Sequence, residues 1–334
     1  MKRFNKLISL ILAILLAVCF VGCGASDNPT TSENTSVNDT SSVISSVSSD
    51  VESNVSSDDT SSEAVSSNNT VDGQSKSIKV LAIGNSFSID GMEYLWNVLN
   101  DAGYEEIVLG NLYIGGCSVG KHWQNIQSDA GAYVYLKNTY GQWLKTPDTP
   151  ISFAITDHDW DVITLQQNSG SSGRASTYGN IDNVFQYIKN QQPDAKIFWH
   201  MTWAYQQDTP STAFANYDSN QLTMYNAITT AVAEKIVGNG YVDGIIPSGT
   251  AIQNVRTSYI GDIMTRDGNH LSYSHGRYTA AMTWFAALTG GDPDAITWVP
   301  TKYPELANDL PVIRQSVKDA IKTPFAITQQ TTTK

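Results

Sequence analysis

Ser86 stands at the end of "VLAIGNSFSID", where an apolar run stops on Gly84-Asn85 and a helical pattern begins. Far along the chain, "TRDGNHLSYSHG" sets Asp267 three residues before His270, with Gly268 between them and a helical segment following. A single turn at that spacing brings the carboxylate against imidazole Nδ1 and leaves Nε2 free. A hydroxyl is a weak nucleophile until a base takes its proton, and the imidazole can do so only in the tautomer that a carboxylate on Nδ1 enforces. Taken singly, the residues have plainer readings: Ser86 as a helix cap, Asp267 as a turn former, His270 as a surface histidine. Taken together, they supply a nucleophile, an orienter and a base for acyl transfer.

Other reactive side chains fit less demanding roles. "TDHDWD", residues 156–161, groups His158 with Asp157, Asp159 and Asp161. Potential ligands in one run without helical spacing rarely reach one ion, so a solvated cap before a strand is expected there. His200 lies in the apolar run "KIFWHMTWA" and reads as a core histidine. Cys117, in the Gly-rich "YIGGCSVG", reads as a small packing residue, and His275 is a fallback base with no acid three residues before it. Trp123, Trp143, Trp203, Tyr113 and Tyr205 fall near the same end of the pattern; aromatic faces stack on sugars, but in a domain this large most of them are expected to pack.

The elements that must position these groups follow from the apolar periodicity. Five short apolar runs, at 78–83, 106–114, 161–166, 195–204 and 241–247, read as strands. Amphipathic stretches separate them: one capped by Asp90 with Glu93 three residues on, then 177–190, 222–237, 275–288 and 310–321. Buried strands alternating with helices predict an α/β, doubly wound fold, with a mostly five-stranded parallel sheet and helices on both faces. Such sheets bind ligands beyond the carboxyl ends of their strands. There the first strand delivers Gly84-Asn85-Ser86, the second Gly115-Gly116 and the third Gln166-Gln167-Asn168-Ser169-Gly170. Residues 128–159 are long for a connection, and "YVYLKNTYGQWL" within them reads as a hairpin-like insertion that would shape access to a ligand.

These motifs, in this order, resemble the sequence blocks of the SGNH hydrolases, the GDSL esterase and lipase superfamily, over most of residues 79–288. "IGNSFS" is similar to the nucleophile block, "NLYIGGCS" to the second, "VITLQQNSG" to the third and "DGNHLS" to the last. The resemblance implies a flavodoxin-like SGNH fold, with Ser86 as nucleophile, Asp267 and His270 as orienter and base, and Gly116 and Asn168 as oxyanion donors. Asn85 departs from the usual Asp beside the nucleophile, and Gln166-Gln167-Asn168-Ser169 from the usual Gly-x-Asn-Asp, so either glutamine could supply the amide donor in place of Asn168. Gln166 and Trp203 are also candidate substrate contacts.

The ends of the chain suggest where it works. Lys2, Arg3 and Lys6 precede the apolar residues 7–21, short for a membrane span and placed as the core of an export signal. The following Gly22-Cys23 resembles a lipobox, which makes 1–22 a signal peptide and Cys23 a lipidated anchor. Residues 23–76 are rich in Ser, Thr, Asn and acids, without an aromatic residue, and are expected to be a disordered tether. Residues 77–326 form the catalytic domain and 327–334 a disordered tail. Of a formal charge of −12 the tether holds much, and the remainder stays mildly acidic, which argues against nucleic acid as a partner. The expected protein is an exported, surface-tethered serine esterase removing acetyl or other small acyl groups from carbohydrate, touching the membrane only through its lipid. The alternatives are a non-catalytic carbohydrate-binding lipoprotein and a lipase or peptidase on the same scaffold. No metal or organic cofactor is expected.

Overall fold

The computed structural model describes residues 75–331, and the readings of the signal peptide, Cys23 and nearly all of the tether lie outside them. The described residues form an α/β fold around one seven-stranded sheet of order β4-β3-β2-β1-β5-β6-β7. Its strands are β1 (Lys76–Gly84), β2 (Tyr104–Tyr113), β3 (Tyr133–Asn138), β4 (Trp143–Thr149), β5 (Val162–Leu165), β6 (Lys196–His200) and β7 (Gly244–Ile246). β2, β1, β5, β6 and β7 run parallel, as the five apolar runs predict. The sheet is nevertheless mixed rather than five-stranded. The hairpin expected as an insertion is β3 and β4, which pair antiparallel and extend the sheet at its β2 edge. Tyr133, Tyr135 and Leu136 of β3 are buried, so this hairpin joins the core instead of standing over it.

Within the parallel part, β1 sits between β2 and β5, and the chain crosses from one side of β1 to the other. Such a switch point opens a crevice at the strands' carboxyl ends. The second half of the central strand is fully buried, with Val80, Leu81, Ala82 and Ile83 all at 1% exposure or less. Helices α1 (Ser86–Met92) and α2 (Leu95–Asp101) follow β1, with α3 (Val119–Ser128) after β2 and α4 (Ile151–Ile155) after β4. Helices α5 (Ile181–Gln191) and α6 (Gln221–Lys235) follow β5 and β6, and α7 (Ser248–Arg256), α8 (His275–Thr289) and α9 (Leu306–Lys322) close the chain.

Three expectations change. The first helix begins at Ser86 and not after Asp90, because Asn85 is its cap: the Asn85 side chain accepts from Phe87 N–H at 3.0 Å. Asp90 is therefore mid-helix and fully buried. α7, unread in the sequence, is buried along all of its residues, Gln253, Asn254 and Arg256 included, so its polar positions do not mark a solvent face. The tail expected from 327 is held through Gln330: Thr328 N–H donates to Asn254 Oδ1 at 2.7 Å and Gln330 N–H to Thr257 Oγ1 at 2.9 Å.

Candidate active site

Ser86 is carried by the turn from β1 into α1. Asn85 closes that turn in three directions: its Oδ1 caps α1, its amide donates to the Cys117 carbonyl at 3.0 Å, and Gln166 Nε2 donates to its Oδ1 at 2.8 Å. Gln166 Oε1 in turn faces His200 Nδ1 at 2.7 Å, and His200 Nε2 faces Ser248 Oγ at 3.1 Å. The ends of β1, β5 and β6 and the start of α7 are thus joined by a buried polar chain behind the nucleophile. Burial lowers the His200 pKa to about 3, so its imidazole stays neutral and one ring nitrogen accepts while the other donates.

His270 Nε2 lies 2.9 Å from Ser86 Oγ, and His270 Nδ1 lies 2.8 Å from Asp267 Oδ2. The other carboxylate oxygen, Asp267 Oδ1, accepts the backbone N–H of His270 at 2.7 Å and of Asn269 at 3.2 Å. Partial burial pushes the Asp267 carboxyl up, but those N–H groups and the imidazole outweigh it and hold its pKa below the ordinary carboxylate range. The carboxylate is charged and its orientation fixed, so the imidazole carries its proton on Nδ1 and offers Nε2 to the hydroxyl. Gly268 permits the turn: its φ is +90° and a Cβ there would collide with Thr209.

The expected oxyanion residues stand together on the same rim. Gly116, at φ +62°, follows β2, and Asn168 Nδ2 donates to its carbonyl at 3.3 Å. Asn168 Oδ1 accepts Ser171 N–H at 3.0 Å, which fixes the amide with its NH₂ toward Gly116. The glutamines are committed elsewhere. Gln166 is bound to Asn85 and His200, and Gln167 Oε1 accepts Val119 N–H at 3.1 Å while its amide donates to Thr177.

Both expected substrate contacts are corrected by burial, Gln166 being 1% exposed and Trp203 0%. Trp203 stacks on Phe87 at 4.1 Å and donates Nε1–H to the Asn269 carbonyl at 2.8 Å, bracing the loop that carries the base. His275 has an acid after all, Asp309, at 2.8 Å, supplied from α9. In the 156–161 run, Asp157 binds Tyr135 and Lys137, and Asp161 accepts Lys79 N–H, so the acids brace the sheet. Cys117 is buried, and that burial raises its thiol pKa to about 12, far from a thiolate nucleophile.

Beside α1, Ile89, Glu93, Asn111, Leu136, Trp143 and Lys145 line a depression of about 260 Å³, so the hairpin walls a cavity that none of Ser86, Asp267, His270, Gly116 and Asn168 lines. The local pattern does not announce the cap at Asn85, and it gives Asp90 the look of a cap instead of a buried mid-helix acid. Asp90 follows Ser86 by four residues, and the helical start at Ser86 puts both on one face.

The family model described as a domain of unknown function, DUF4886, matches residues 79–316. The crystal structure of a DUF4886 family protein from Bacteroides uniformis ATCC 8492 is 41% identical, covers 77% of this chain and 99% of that one, and has a TM-score of 0.73. A Clostridium thermocellum family 3 carbohydrate esterase is similar at 14% identity, over 64% of this chain and 96% of that one, with a TM-score of 0.39. A GDSL-like lipase from Bacteroides thetaiotaomicron VPI-5482 is similar at 10% identity, over 72% and 88%, with a TM-score of 0.35. These last two likenesses are too slight to carry an activity across. No curated protein matches the sequence.

Proposed function

We propose that this chain, which belongs to the DUF4886 family, is a serine esterase that removes acetyl or other small acyl groups from carbohydrate. The observation that carries the reading is the formed relay, 2.9 Å from Ser86 Oγ to His270 Nε2 and 2.8 Å from His270 Nδ1 to Asp267. Ser86 Oγ attacks the ester carbonyl as His270 Nε2 takes its proton. The same nitrogen returns that proton to the leaving alcohol, and Asp267 stabilises the imidazolium between the steps. Gly116 N–H and Asn168 Nδ2 hold the oxyanion of the tetrahedral intermediate. Water then repeats the sequence on the acyl-enzyme, with His270 again as base.

The substrate class rests on the shape of the site. Asp267 is nearly half exposed and His270 about a quarter, so the base stands at an open rim that a bulky alcohol can approach. Behind the nucleophile Gln166, Phe87 and Trp203 are packed at 1% exposure or less, which favours a short acyl group. We further propose that the enzyme is exported and held at the cell surface by a lipid on Cys23, so that Cys23→Ser yields an unlipidated protein of unchanged catalytic rate. The decisive test of the chemistry is a fluorophosphonate probe on the purified protein followed by peptide mapping. Adduct at Ser86 is expected, and a folded protein that takes no label would defeat the serine mechanism.

A further inference from the structure

Resting on that reading of Ser86 and His270, we infer that Asp90 is a positioning residue which fixes the base loop to the helix that carries the nucleophile. Asp90 lies one turn beyond Ser86 on α1 and has no exposed surface. Its Oδ2 accepts the backbone N–H of Leu271, the residue after the base, at 2.8 Å. Its Oδ1 accepts from Arg266, the residue before the orienting acid, at 3.0 Å, and from Arg277 Nε at 2.8 Å. One carboxylate therefore grips both ends of the segment that presents Asp267 and His270.

That segment is also closed on itself. Arg266 N–H donates to the His270 carbonyl at 2.9 Å, Arg266 Nη1 donates to the Leu271 carbonyl, and Thr265 bridges Leu271. A loop so braced moves as a body, and its position relative to Ser86 depends on its ties to α1. The Arg266 and Arg277 guanidinium groups lie 4.9 and 4.7 Å from the centre of the Tyr273 ring, which keeps both forks aimed at Asp90. Burying a carboxylate is expensive unless it is paired and hydrogen-bonded. Here the buried charge acts as a tie: near-attack geometry is sensitive to displacements of about 1 Å, and Asp90 sits where a shift of the loop would be felt directly between Oγ and Nε2.

The test uses the full chain and 4-nitrophenyl acetate. Asp90→Asn keeps an acceptor for Leu271 N–H but removes the charge that holds both arginines. We expect kcat to fall about 10- to 100-fold with KM within about twofold. Because Asp90 acts through His270, the loss should vanish in the His270→Ala background, whose residual rate comes from the oxyanion donors and binding. An equal loss in both backgrounds, or a fall in melting temperature with no change in kcat, overturns the inference. Should Asp90→Asn not fold, Arg266→Lys carries the same comparison, since a lysine cannot reproduce the planar fork. If the wild type does not turn over the ester at all, the esterase reading fails first. The tie is then read from the His270 Nδ1–H resonance by NMR: loss or shift in Asp90→Asn supports it, and an unchanged resonance overturns it.

Discussion

At the scale of single residues, the candidate site separates the groups proposed to react from the groups that hold them. Asn168 is held by Ser171 on one side and by the Gly116 carbonyl on the other, so the orientation of its amide is fixed. Asn168→Ala should lower kcat by about 10²- to 10³-fold with KM little changed, as measured on a soluble acetyl ester. Gln166→Ala should instead disturb the Asn85 turn and the His200 contact, and so lower the melting temperature as well as the rate. Asp267→Asn should preserve the circular dichroism spectrum and lose up to about 10⁴-fold in kcat, because an amide cannot hold the imidazole in the productive tautomer. The meeting of Ser86, His270 and Asp267 could be anticipated from local spacing and the rule of strand ends. The contacts of Asp90 and Trp203 could not, since they depend on partners at Arg266, Leu271 and Asn269 that no local pattern announces.

At the scale of elements, the parallel strands were readable from their length and apolar content, and the pairing of β1 with β5 explains why Ser86 and Asn168 follow the ends of neighbouring strands. The first helix was misplaced because Asp90 with Glu93 mimics a capping box. The real cap, Asn85, accepts Phe87 N–H and is held by Gln166 and Cys117 from distant parts of the chain. The hairpin was seen but its pairing was not, since register with β2 is a tertiary choice. Gly268 is where element geometry and chemistry coincide. A Cβ at φ +90° would be strained and would lie 2.8 Å from Thr209 Cα, forcing the loop away from the 201–211 segment. Gly268→Ala should therefore cost more than about tenfold in kcat at temperatures where circular dichroism shows the fold intact, because the displacement moves orienter and base together.

At the scale of the whole molecule, stability should depend on two buried histidines that lie outside the Ser86, Asp267 and His270 cluster. Burial lowers the pKa of both His122 and His200 to about 3. In the unfolded chain each titrates near 6.5, so below that value the unfolded state binds protons that the folded state refuses. Stability from this source is complete above about pH 6.5 and falls as pH drops toward the folded values, by about 1.4 kcal/mol per pH unit for each histidine. Burial lowers the His158 pKa as well, so urea unfolding at pH 7, 6 and 5 should show stability falling with pH, and His122→Gln should make that fall shallower without abolishing it. The sheet's two margins have a consequence of their own. One outer strand, β7, is three residues long, and the other, β4, carries Lys145, Pro147 and an irregular register beside Asp148 at φ +50°. Short length, a cation, a residue without N–H and a bulge each deny a neighbouring chain a straight ladder to zip onto. Molecules crowded side by side would then remain separate although each exposes the rim of a broad sheet. Lys145→Val with Pro147→Val should remove that protection, giving light scattering that grows with concentration while the ester-cleaving rate per folded molecule stays the same.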